Sequence, residues 1–177
     1  MVSSVVLFYS GEGVDHRGRS LDAILDFTDG ELETVHDFVQ WLFPIETPSP
    51  VNRLAPTVSR DTQIAFRTNV LLRKNLCRAC SRMLRFYGLT CQGEAMASVR
   101  VLRDRDFLAK SATWMVPGNH NHRRLTRILK SLRLLGLEAC SRSLFLYLEE
   151  LATHDPSSIL QVTLDYWRDS QETPTDS

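Results

Sequence analysis

The sequence predicts an all-α fold, a single compact multi-helix domain with irregular connecting loops. Three observations carry this expectation. Apolar residues recur at three- and four-residue spacing through most of the chain, glycines and prolines end the runs, and short β-branched alternation is almost absent. The 177 residues are 43% hydrophobic and 24% charged, which suits one globular domain and excludes a wholly disordered chain. The domain is expected over residues 1–169, with 170–177 as a flexible polar tail.

The elements follow in order. Ser20 can cap a short helix whose Leu21, Ile24 and Leu25 share a face. Asp29 can cap a second, in which Leu32, Val35, Val39 and Leu42 line one side until Pro44 stops it. The stretch from Pro44 to Pro56 reads as loop because four prolines fall within it. Ser59 opens a third helix through Phe66. The longest helix runs from about Asn69 to Tyr87 on Leu72, Leu76, Cys80, Met83 and Tyr87, with Gly88 as its stop. Residues 89–120 read as one short helix plus loop around Val99, Leu102, Phe107 and Trp114. Leu125, Ile128, Leu129, Leu132 and Leu135 line the next helix, ended by Gly136. Ser141 can cap another with Leu144, Leu148 and Leu151 inward, and Asp155-Pro156 opens a last helix through Leu160, Leu164 and Trp167.

Charge is segregated although the net is zero. Residues 1–52 carry nine acids against two bases, 53–142 carry eighteen bases against five acids, and 143–177 carry one base against seven acids. Either the acidic ends fold back on the basic middle, or that middle offers a surface for phosphate or an acidic partner.

Location follows from what is present. Apolar runs such as Val5 to Tyr9 are far shorter than the roughly 20 residues of a membrane span, and the N-terminus lacks the pattern of a secretory signal. Cys77, Cys80, Cys91 and Cys140 are too few for a disulfide framework and read as reduced thiols. The chain is therefore expected to be intracellular, cytoplasmic or nuclear, with no membrane insertion.

Two stretches resemble the conserved front domain of the opioid growth factor receptor family. His36-Asp37-Phe38-Val39-Gln40-Trp41-Leu42-Phe43-Pro44 is close to that family's H-x-[FY]-[IV]-Q-W-L-F-P signature. Asn119-His120-Asn121-His122-Arg123-Arg124-Leu125-Thr126-Arg127-Ile128-Leu129-Lys130-Ser131-Leu132 matches its H-N-x-x-R-[IL]-T-R-I-L-x-S-L signature. Ala65-Phe66-Arg67 and the run from Arg82 to Gly88 fall between them in the family's order, so the likeness extends from about Phe8 to Tyr166. It implies receptor activity toward enkephalin-like peptides.

The residues themselves offer two candidate sites. His36, Gln40, Trp41 and Phe43 form the most distinctive apolar turn and either plug the core or line a groove for a peptide or protein partner. His120, His122, Arg123, Arg127 and Lys130 stand at and along the start of a helix, where they either cap the entering loop or contact a phosphate or nucleic acid. The C-x-x-C of Cys77 and Cys80 lies mid-helix without a second close pair, so no metal and no other cofactor is expected. No P-loop, dinucleotide fingerprint, H-E-x-x-H or G-x-S-x-G is present. The expected function is a non-enzymatic helical binding module for a peptide or protein. A phosphate- or nucleic-acid-binding module is the first alternative, and an uncharacterised enzyme the second.

Overall fold

The structure is a computed structural model that describes residues 3–50, 52–94 and 98–172. Among them are ten helices and one two-stranded sheet. The remainder of the expected tail, 173–177, lies outside the described residues. The chain divides into two compact units, Met1–Phe86 with Leu134–Gly136, and Tyr87–Arg133 with Leu137–Ser177.

The first unit is built on its longest helix. Its elements are α1 (Ser4–Ser10), α2 (Leu21–Leu25), α3 (Asp29–Thr34), α4 (Val39–Leu42), α5 (Arg60–Thr68) and α6 (Val70–Phe86). Ser20 and Ser59 cap α2 and α5 through their hydroxyls, as their positions predict. α6 packs against α1, α2 and α5. Phe8, Tyr9, Leu42, Phe66, Leu72 and Leu76 are buried in this unit. Polar ties fix the packing: the Asn75 amide donates to the Tyr9 carbonyl at 2.7 Å, and the Tyr9 hydroxyl donates to the Leu42 carbonyl. Each bond satisfies a buried carbonyl that would otherwise cost free energy.

The expected single helix from Asp29 to Leu42 is two helices. Thr28, not Asp29, caps α3, in a capping box whose Glu31 carboxylate accepts from the Thr28 backbone N–H at 2.7 Å. The chain then leaves the helix at Val35, with φ −85° and ψ 127°. The break places the Asp37 carboxylate against Arg19 at 2.8 Å and Arg17 at 3.0 Å, partners remote in sequence. An uninterrupted helix would forgo these pairs, so tertiary contact overrides local periodicity.

The second unit contains β1 (Leu89–Glu94), β2 (Ser98–Arg103), α7 (Phe107–Trp114), α8 (His120–Leu134, in this unit through Arg133), α9 (Glu138–His154) and α10 (Gln161–Asp169). The fold is thus mostly helical, and the antiparallel hairpin β1–β2 corrects the all-α expectation. Its register pairs Leu89 with Arg103 and Cys91 with Val101. Alternation puts Val101 inward and Arg100 outward. β2 rests on α9, whose Ser143 hydroxyl accepts from the Val101 N–H at 2.9 Å.

Two expected caps in this unit do other work. α9 begins at Glu138, three residues before Ser141, which is fully buried and donates to the Leu129 carbonyl at 2.8 Å. Asp155 does not start α10; its carboxylate closes a turn with the Ser157 hydroxyl at 2.6 Å, and α10 begins at Gln161. In consequence Trp167 is buried while Leu160 is 45% exposed.

Charge balances within each unit. In sequence the first unit holds ten acidic and ten basic residues, and the second eleven of each. In the first, Arg78–Asp22 at 2.7 Å and Arg82–Asp29 at 2.9 Å join basic α6 to the acidic N-terminal segment.

Candidate functional site

In the first unit the signature turn is packed inward. Trp41 is 6% exposed and Phe43 fully buried, while His36 is exposed. Trp41 meets Phe8 edge-on at 5.5 Å between ring centroids. Gln40 is buried, and its carboxamide nitrogen, in the orientation that satisfies both its ends, donates to the His36 carbonyl at 3.3 Å and the Asp37 carbonyl at 3.1 Å. The four residues therefore do not converge on an open groove.

The same unit has a cavity of about 390 Å³ beside α6, lined by Ser20, Asp22, Lys74 and Arg78 among others. Its Arg78 is already paired with Asp22 at 2.7 Å, which leaves Lys74 as the second base of that wall.

In the second unit the start of α8 is organised by Asn119. Its side-chain oxygen accepts from the Asn121 N–H at 2.9 Å and its carbonyl from the His122 N–H at 3.1 Å. His122 is 3% exposed, and its ring nitrogen Nε2 lies 2.9 Å from the Trp114 carbonyl. A carbonyl only accepts, so Nε2 carries the proton and Nδ1 presents a lone pair. Burial pushes the His122 imidazole below its ordinary value, against the opposing pull of the Trp114 carbonyl. The backbone carbonyl of His122 accepts from the Trp167 indole at 3.1 Å, so this turn also anchors α10.

The expected basic strip is uneven. Arg123 is exposed, and among the described residues it forms no hydrogen bond or ion pair. Arg127 and Lys130 are half-buried, and burial pushes the Arg127 guanidinium down to about 10. His120 is exposed at the helix start. Arg123 and His122 stand beside a pocket of about 220 Å³ between the first turns of α8 and α10. Val162 and Tyr166, 53% and 60% exposed, form its apolar side. The sequence marked its α8 wall through His122 and Arg123 but not its α10 wall, because α10 was expected to turn Leu160 and Leu164 inward from a different starting residue.

Among the described residues no group of three or more His, Cys, Asp or Glu side chains is placed to hold a metal ion. Cys77 and Cys80 lie on α6 as thiols, Cys80 buried. No helix of the described residues is long and apolar enough to cross a membrane.

Comparison with known proteins agrees with the sequence signatures. Residues 21–174 match the family described as the opioid growth factor receptor conserved region. The chain is 31% identical over 150 residues to the opioid growth factor receptor of Homo sapiens, covering 82% of this chain and 22% of that protein. The Mus musculus receptor is 36% identical over 138 residues, covering 77% of this chain and 21% of the relative. The Mus musculus opioid growth factor receptor-like protein 1 is 27% identical over 161 residues, covering 85% of this chain and 32% of the relative. No solved structure matches. The chain spans about a fifth to a third of the length of these relatives. On the extent of the family match and these identities, the chain belongs to the opioid growth factor receptor family through its conserved region.

Proposed function

We propose that this chain is a non-enzymatic helical binding module that recognises a peptide or protein inside the cell. One observation carries the reading: Leu160, Val162 and Tyr166 leave large apolar side chains in solvent around a pocket, where burial by a partner would be favourable. The names of the relatives, receptors for a growth factor, support the same class of ligand. Four cysteines carried as thiols support an intracellular setting.

The phosphate- or nucleic-acid reading rests on Arg123, Arg127 and Lys130, of which Arg123 alone is well exposed. Selection from a displayed random-peptide library, run beside heparin and RNA retention, separates the two. Recovery of a recurrent peptide pattern by the folded chain is the expected result. Failure to enrich any pattern, together with retention lost in an Arg123→Glu, Arg127→Glu, Lys130→Glu variant, would transfer the function to anion binding.

A further inference from the structure

The two cavities described above differ in what their walls leave unanswered. Beside α6, Asp22 pairs with Arg78 at 2.7 Å, so Lys74 on the same wall stands in a cavity that already holds a carboxylate. The pocket between α8 and α10 has no aspartate or glutamate in its lining, and its one fully ionised side chain, Arg123, has no ion-pair or hydrogen-bond partner among the described residues. At about 220 Å³ it is smaller than the roughly 300–1,000 Å³ of a site for a drug-sized molecule. That volume suits one large side chain. The floor is polar but uncharged: Asn119 spends its side chain on capping α8, and Thr126 donates to the His122 carbonyl at 3.0 Å. Val162 and Tyr166 lie one turn apart on α10 and present a continuous apolar edge.

We propose that this pocket seats one large apolar side chain of an acidic peptide segment, with a neighbouring carboxylate of that segment paired to Arg123. The assignment rests on the binding-module reading and names its site and ligand chemistry. Charge complementarity selects the occupant: an unpaired guanidinium beside an acid-free pocket attracts a carboxylate and repels a basic segment. The acid belongs at the Arg123 end, because Arg123 is exposed and His122, the other basic residue of the lining, is buried with Nε2 on the Trp114 carbonyl. The apolar anchor belongs against Val162 and Tyr166. The family's second signature thereby divides its work, with Leu125, Ile128 and Leu129 in the core and Arg123 at the mouth.

Three end-blocked peptides test this on the full chain: alternating glutamate and phenylalanine, lysine in place of glutamate, and alanine in place of phenylalanine. Amide shifts of Thr126, Thr163 and Tyr166 locate binding, and titration gives affinity. The glutamate–phenylalanine peptide should shift these amides and bind about tenfold tighter than either control at low salt, with the preference over lysine shrinking as salt rises. Arg123→Glu should reverse the charge preference, and Val162→Asp should remove the phenylalanine dependence. Both positions are exposed, so folding is checked by an unchanged melt. Equal affinity for the glutamate and lysine peptides, or indifference to both variants, overturns the assignment. Peptides recovered by library selection that shift only first-unit amides would also overturn it, while leaving the binding-module reading intact.

Discussion

The Trp41 indole N–H donates to Nδ1 of His16 at 3.0 Å, with the two rings 15° from parallel and 6.3 Å between centroids. On its other side His16 Nε2 faces the Asp37 carboxylate at 3.5 Å. Asp37 in turn holds Arg17 and Arg19, and Arg19 reaches buried Asp15 at 2.6 Å. The signature tryptophan is therefore tied to the loop before α2 as well as packed on Phe8.

Two substitutions separate these roles. Trp41→Ala empties a buried site and should cost ~3–5 kcal/mol in urea unfolding. Trp41→Phe keeps a ring but removes the donor to His16, and should cost about 1 kcal/mol for the bond beyond the smaller ring. A Trp41→Ala melt lowered by only about 1–2 °C would contradict the buried role.

Stability should fall on acidification in two stages. Burial keeps the His122 imidazole below its ordinary value, so the unfolded chain takes up a proton near about pH 6.5 that the folded chain resists. Stability is then lost as pH falls through that value, and His122→Gln should flatten this limb. Burial would raise the Asp37 carboxyl, but the hydrogen bond and charge of Arg19, with His16 and Arg17, outweigh it and hold it low. Its contribution is complete above the ordinary carboxylate value of about 4 and disappears as pH falls toward the lower folded value. Thermal midpoints across the acid range, with Asp37→Asn as the second variant, read both limbs.

Gly88 and Gly11 both end helices in the left-handed region, at φ 75° and 84°. A Cβ at Gly88 would stand 2.7 Å from the Phe107 Cα, whereas one at Gly11 meets nothing within 4 Å. Alanine at either carries about 1–2 kcal/mol of backbone strain. Gly88→Ala should cost about 1–3 kcal/mol more because backbone must move. Equal losses in parallel denaturant titrations would show that α7 yields freely.

Arg123 and Arg127 should respond differently to the same change. Arg123→Glu alters an exposed, unpaired position and should stay within about 0.5 kcal/mol of the parent. Arg127 is held where burial already pushes its guanidinium down to about 10, and Arg127→Glu should cost at least about 1–3 kcal/mol. Matching melts for the two variants would refute this difference in burial.

The helices α2, α5, α6 and α8 were legible from residues within a turn of each end: Ser20 and Ser59 as caps, Gly88 and Gly136 as stops, and leucines at helical spacing between. Caps and periodicity act locally, so a linear reading captures them. The family was legible too, because its two signatures are continuous runs. What depends on distant partners was not. The break at Val35 exists for Asp37 to reach Arg19, and β2 gains a helix face through the bond from Val101 to Ser143. Ser141 and Asp155 carry side chains suited to capping, yet packing gave the first to a buried carbonyl and the second to a turn. The pocket beside Arg123 arises where α8 meets α10, two helices that adjoin through the Trp167 bond to the His122 carbonyl. Which charges remain unpaired is settled by that packing, since a guanidinium's partner is chosen by proximity in space and carries no trace in the spacing of the sequence.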